Sequence, residues 1–153
     1  MEFANLGSLV KHYHDLADSE ILKVCLDMYK GLLYIHRKGY LHRDLKLENL
    51  LLVGKNRENL NACMVKIADF GLSRETAPNM TVGLQGTPPY MAPELIQAQV
   101  DSDYNYKVDI YSSTIIVFEL YDRVRFPFPI THGNYELEQA ILRSDKPQIP
   151  SYI

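Results

Sequence analysis

The sequence predicts a mainly α-helical domain carrying one small β-hairpin. Three observations predict it. From position 20 onward the apolar residues Leu22, Cys25, Leu26, Tyr29, Leu32 and Leu33 recur at helical spacing. Residues 107–121 are the most apolar helix candidate and are expected to lie centrally. Between these two stretches, the short apolar runs at 50–53 and 64–68 flank a polar segment rich in turn formers, the pattern of two strands joined by a long hairpin connection. A length of 153 residues fits one domain able to bury a core, and 46% hydrophobic with 23% charged residues is ordinary for a globular fold.

Taken in order, Gly7-Ser8 breaks the opening segment, and residues 9–16 are expected to form a short helix. Asp18 and Ser19 are good N-caps for the long helix that follows, and Gly39 ends it. Residues 74–86 have no periodicity and hold Pro78 and Gly83, so a mobile loop is expected, which Pro88 and Pro89 keep from becoming helix. Residues 94–99 read as a short helix. The Phe126-Pro127-Phe128-Pro129 run breaks the apolar helix, residues 135–143 make one more, and Pro147 and Pro150 follow.

Composition narrows the function classes. A net charge of −3 gives no argument for nucleic acid or an anionic membrane surface, so neither is expected as a partner. Cys25 and Cys63 lie far apart with no metal-type spacing, which suits reduced thiols in an intracellular, cytoplasmic protein. Met1-Glu2-Phe3-Ala4 lacks the basic start and apolar run of a signal peptide. His12 and His14 have no Cys or acidic cluster at ligand spacing and are expected on the surface.

Chemistry concentrates in three ordered segments: His42-Arg43-Asp44-Leu45-Lys46-Leu47-Glu48-Asn49, then Asp69-Phe70-Gly71, then Ala92-Pro93-Glu94. Singly, such triplets are common by chance. In this order they fit phosphoryl transfer from ATP, which needs positioned magnesium, an offset γ-phosphate charge and an oriented hydroxyl. Asp44 is the candidate base, and Asn49 and Asp69 are oxygen donors of the kind hard magnesium prefers. Lys46, two residues after Asp44, can offset charge on the transferred group. Gly71 is expected to give the backbone freedom to turn after Asp69.

These segments resemble the C-terminal lobe of a eukaryotic protein kinase, over essentially the whole chain. Lys46 and the run Gly86-Thr87-Pro88-Pro89-Tyr90-Met91-Ala92-Pro93-Glu94 resemble Ser/Thr kinases, and Val108-Asp109-Ile110-Tyr111-Ser112 resembles the tyrosine-kinase-like group, although Lys146 stands where that group usually has arginine. The resemblance implies transfer of the ATP γ-phosphoryl group to Ser/Thr hydroxyls of a protein substrate. Asp44, Lys46, Asn49 and Thr87 would be catalytic, with Asn49 and Asp69 holding Mg2+. Leu51 would floor the adenine site, with Glu2 and Ala4 in the hinge. His42 and Phe70 would stack in a buried spine, and Asp109 would anchor the catalytic-loop backbone. Arg43 would face a phosphorylated loop, with Thr76 and Thr81 the candidate sites.

The departures are equally specific. No residue matches the glycine-rich loop, the strand lysine or its glutamate partner, so residues 1–153 read as a partial domain, from the hinge to about the penultimate helices, without the N-lobe or the last C-lobe helices. Alone it is expected to be inactive, marginally stable and prone to aggregate. A non-catalytic binding or regulatory module, as a truncated kinase or pseudokinase-like chain, is the alternative. Thr114 replaces a small glycine of the central helix, so a neighbour must make room, and Glu94 is expected to be a buried carboxylate lacking its arginine.

Overall fold

The structure is a computed structural model that describes residues 4–55, 62–75, 86–97, 105–125 and 134–143. It is mainly helical with a small antiparallel sheet, as the sequence predicts. Strand β1 (Gly7–Ser8) pairs with β3 (Leu50–Val53), which pairs with β4 (Met64–Ile67), all antiparallel. The β3–β4 register sets Leu50 opposite Ile67 and Val53 opposite Met64, so the expected hairpin is present. A second ladder joins β2 (Tyr40–Leu41) to β5 (Arg74–Glu75).

Helix α1 spans Asp18–Arg37. Its cap is Ala17 rather than Asp18 or Ser19, which lie in the first turn. The Ala17 carbonyl accepts from the Glu20 and Ile21 N–H groups, and the Glu20 carboxylate accepts the Ala17 N–H at 2.8 Å. The buried face is Ile21, Val24, Cys25, Met28 and Leu32; of the expected stripe Cys25 and Leu32 lie on it, while Leu22, Leu26, Tyr29 and Leu33 are exposed. Burying each of the large members contributes about 1.5–3 kcal/mol. Lys23 and Asp27 pair one turn apart. Lys23 also donates to the Cys63 carbonyl, and Asp27 accepts the Val65 N–H, so the pair binds α1 to the start of β4.

Helix α3 (Lys107–Asp122) packs antiparallel beside α1. It ends at Arg123, whose left-handed backbone (φ 56°) turns the chain and whose guanidinium donates to the Tyr13, His14 and Leu16 carbonyls. Helix α2 is Pro93–Gln97, and α4 is Asn134–Leu142, seated on α2 and the 88–90 turn through Leu137 and Ile141. Among the described residues no helix is long and apolar enough to cross a membrane.

Several expectations need correcting. Residues 9–16 are two 3-10 turns, Leu9–Lys11 and Tyr13–Asp15, because Ser8 Oγ accepts the Val10 N–H and His12 breaks the ladder between them. His12 is buried, its Nε2 against the Leu6 carbonyl at 3.3 Å, while His14 is exposed. Most of the expected 74–86 loop, residues 76–85, lies outside the described residues, and Pro88 and Pro89 beyond it open a 3-10 turn, at positions whose N–H groups have no helical partner. Thr114 is exposed and returns its hydroxyl to the Ile110 carbonyl at 2.9 Å, so no neighbour makes room for it. Glu94 is exposed on α2 and stays hydrated, which removes the expected cost of a buried charge. The 126–129 break lies outside the described residues.

Candidate active site

The loop 42–49 follows α1 and β2 and is held by residues far along the chain. Asp109, fully buried at the start of α3, accepts the His42 N–H at 2.9 Å and the Arg43 N–H at 2.8 Å, and its carboxylate also meets His36 Nε2 at 2.7 Å. Between those two amides the chain must turn sharply, and Arg43 adopts φ 67°, a left-handed conformation that costs a non-glycine residue about 1–2 kcal/mol. His42 is buried. Its Nε2 bonds the Ala68 carbonyl at 2.9 Å while Nδ1 faces the Asp44 N–H at 3.3 Å, an arrangement that fixes the Nε2–H tautomer. The Phe70 ring meets His42 edge-on at 5.1 Å, with Phe70 itself about half exposed.

This scaffold brings Asp44, Lys46, Asn49 and Thr87 together. Lys46 Nζ donates to Asp44 Oδ2 at 2.7 Å and to Thr87 Oγ1 at 2.8 Å, and Thr87 Oγ1 donates to Asp44 Oδ1 at 2.7 Å, closing a triangle. Asp44 is largely buried, so both its carboxylate oxygens are held in fixed directions. Oδ2 also accepts from Asn49 Nδ2 at 3.4 Å, so Oδ1, with Thr87 as its donor, is the oxygen with a lone pair left to take a proton. Thr87 reaches the loop because Gly86 passes close to it. Gly86 has φ 133°, and a Cβ there would sit 3.0 Å from the Arg43 carbonyl.

Asn49 Nδ2 donates to the Asp44 carbonyl at 2.8 Å, which leaves the amide oxygen as its donor toward a cation. The Asn49 carbonyl accepts the Ala68 N–H at 2.8 Å, so Ala68 lies across from Asn49 where the β3–β4 ladder ends and Asp69 is the next residue. Asp69 is exposed, with one oxygen accepting the Gly71 N–H. An amide oxygen and a carboxylate at one sheet end suit a hard divalent ion. The left-handed residue here is Asp69 itself (φ 61°), not Gly71, which corrects the expectation for that glycine. Gly71 serves by its missing side chain, since a Cβ would lie 3.1 Å from Asp69 Oδ1.

Arg43 is buried with Nε on the Leu72 carbonyl at 2.7 Å, so its guanidinium lies against the chain just past Asp69-Phe70-Gly71. Leu51 is half-buried on β3 between Ser8 and Lys66, and the Ala4 carbonyl accepts the Gly7 N–H beside that strand. Glu2, Thr76 and Thr81 lie outside the described residues.

A second polar cluster was missed by the sequence reading. Glu119, fully buried on α3, accepts the Tyr90 hydroxyl at 2.9 and 3.1 Å, and Arg125 Nε lies 3.3 Å from it. Arg125 Nη2 also reaches Glu48 at 2.7 Å and the Tyr90 hydroxyl at 3.1 Å. Burial first, and then the Glu119 charge, push the Tyr90 phenol well above its ordinary value of 10.0. The cluster ties the residue before Asn49 to the turn after Thr87. A glutamate inside the most apolar helix of the chain was the available signal, because such a group demands a partner.

The loop is thus pinned by a buried aspartate and carries a lysine-bridged acid, with an amide and a carboxylate near the hairpin end. Comparison with known proteins gives the family. The family model described as "Protein kinase domain" matches residues 1–150. Among curated relatives, the "Probable serine/threonine-protein kinase gdt2" of Dictyostelium discoideum is 30% identical, over 99% of this chain and 9% of its own length. The human "Serine/threonine-protein kinase ULK1" is 38% identical over 78% of this chain and 12% of its own. The "Serine/threonine/tyrosine-protein kinase HT1" of Arabidopsis thaliana is 40% identical over 72% and 26%. This chain belongs to the protein kinase family, and it spans from 9% to 26% of the length of these relatives.

Proposed function

We propose that the chain is the C-terminal lobe, from the hinge to about the penultimate helices, of a tyrosine-kinase-like protein Ser/Thr kinase acting inside the cell. The observation that carries this reading is the Asp44–Lys46–Thr87 triangle, with Asn49 bonded to the Asp44 carbonyl. Bound Mg-ATP supplies the transferable phosphoryl group and the divalent charge that offsets its oxygens. Asp44 accepts the proton of a substrate Ser or Thr hydroxyl, and Thr87 holds the carboxylate in line for it. Lys46 lends positive charge on the phosphoryl side. Asn49 and Asp69 hold the metal, and Leu51, Glu2 and Ala4 form the adenine site. Arg43 receives a phosphate on Thr76 or Thr81. None of these 153 residues supplies a glycine-rich loop or strand lysine. In isolation the segment therefore leaves the phosphates open to water, with weak nucleotide affinity and negligible turnover.

The test has two arms. Purified 1–153 is titrated with ATP and Mg2+ by thermal shift beside Asp69→Asn. A dose-dependent rise lost in the variant supports the metal assignment. The longest natural polypeptide carrying these residues is then assayed for Mg2+-dependent phosphorylation of casein. Activity abolished by Asp44→Asn supports the reading. No activity and no nucleotide-dependent shift in either polypeptide would instead identify a non-catalytic binding module.

A further inference from the structure

We infer that Arg125 is a positioning residue for phosphoryl transfer, acting through Glu48 on Asn49 and through Tyr90 on Thr87. It deepens the kinase reading above and rests on it.

The groups concerned share α3 as their base. Near its start, Asp109 holds the His42 and Arg43 amides, and Ser112 Oγ donates to the Tyr90 carbonyl at 2.6 Å. Ten positions after Asp109, about 15 Å along the axis, buried Glu119 accepts the Tyr90 hydroxyl. Arg125 follows just past the helix. Two residues before it, Arg123 is fixed on the Tyr13, His14 and Leu16 carbonyls, so Arg125 reaches out from anchored backbone.

Three groups meet its guanidinium. Nε lies 3.3 Å from Glu119 Oε1, and Nη2 donates to Glu48 Oε1 at 2.7 Å and to the Tyr90 hydroxyl oxygen at 3.1 Å. Placing a cation beside buried Glu119 is a structural duty, and the Nε contact already meets it. The Nη2 arm ends instead on Glu48, whose side chain is 42% exposed, where an ion pair adds little stability. Among the described residues Arg125 is the one hydrogen-bond partner of the Glu48 carboxylate.

Both ends of that bridge lead to the chemistry. Glu48 is the middle residue of the 3-10 turn Leu47–Asn49, closed by the Asn49 N–H on the Lys46 carbonyl at 3.0 Å. Asn49 in turn holds the Asp44 carbonyl at 2.8 Å. Tyr90 closes the next turn with its N–H on the Thr87 carbonyl at 2.9 Å. Arg125 therefore sets the separation between Asn49 and Thr87, the two residues that flank Asp44. Misplacing such a group by about 1 Å costs on the order of 100-fold in rate.

The test uses the longest natural polypeptide carrying these residues, assayed with Mg-ATP and casein. Glu48→Ala cuts the half-exposed arm and leaves the Arg125–Glu119 pair in place. The expected result is a kcat lowered about 10- to 100-fold with KM for casein and the urea midpoint unchanged. Amide hydrogen exchange at Asn49 should accelerate while the middle of α1 stays protected. Arg125→Ala should lower kcat at least as far, with no further loss when Glu48→Ala is added to it. Should Arg125→Ala not fold, Glu48→Ala decides alone. Unchanged kcat or unchanged Asn49 exchange in Glu48→Ala, a kcat loss matched by a fall in urea midpoint, or additive losses in the pair overturns the inference. An inactive wild-type polypeptide overturns the kinase reading with it, whereas an active one indifferent to Glu48→Ala overturns this inference alone.

Discussion

Replacing Asp109 by alanine should loosen the 42–49 loop before it unfolds the domain. The carboxylate receives two backbone N–H groups, from His42 and Arg43, at 2.9 and 2.8 Å, and is itself fully buried. Alanine leaves both donors without that acceptor. Each orphaned buried donor costs about 1–3 kcal/mol, so the sum is about 2–6 kcal/mol against a total stability of about 5–15 kcal/mol. The left-handed turn at Arg43 (φ 67°) is held by the same two bonds and adds its strain to the loss. Urea unfolding followed by circular dichroism gives the total, and amide hydrogen exchange gives its location. Exchange at His42 and Arg43 should accelerate in the variant under conditions where the middle of α1 stays protected. Asp109→Asn, which keeps one acceptor oxygen, should fall about midway between the two. A loss below about 1 kcal/mol, or unchanged exchange at both amides, would refute the argument that a buried carboxylate holds this loop.

Arg125→Ala removes the cation 3.3 Å from buried Glu119 and should cost about 3–5 kcal/mol by urea titration, a penalty that a second change, Glu119→Gln, should partly relieve. Thr87→Val takes a hydroxyl donor from largely buried Asp44 and should lower stability by about 1–3 kcal/mol, read as a fall in thermal midpoint without change in helix content. The Tyr90 phenol, raised by burial and then by Glu119, makes stability depend on alkaline pH. Below pH 10 both folded and unfolded chains keep that proton. Above it the unfolded chain releases the proton first, so urea midpoints should fall as pH rises past 10, and less steeply in Tyr90→Phe.

Much of the architecture was legible because long periodic segments declare themselves. The hairpin at 50–53 and 64–67, the central helix and the last helix all stand where pattern placed them. The orientation of α1 was not legible, for a physical reason. Its apolar residues satisfy helical spacing on two overlapping faces, one through Ile21, Val24 and Met28 and one through Leu22, Leu26 and Leu33. Only the sheet and α3 decide which face is covered. Residues 9–16 failed as one helix because Ser8 captures a backbone donor, a local competition that periodicity does not register. The segments around Asp44 and Asp69 were found by residue order alone. Glu119 and Arg125 were not, since their partners Glu48 and Tyr90 are brought to them only by tertiary packing.

The clasp between Asp109 and the 42–43 backbone also sets an order of events during synthesis. The bonds span 66 and 67 positions of chain. At about 5–20 residues per second, the ribosome needs roughly 3–13 s after making Arg43 to produce the aspartate that holds it. During that interval α1 and the β3–β4 hairpin can form from local contacts, while the loop between them has no carboxylate to settle on. A nascent chain halted before residue 109 would thus carry every residue of the Asp44, Lys46, Asn49 and Thr87 group without the hold on its backbone.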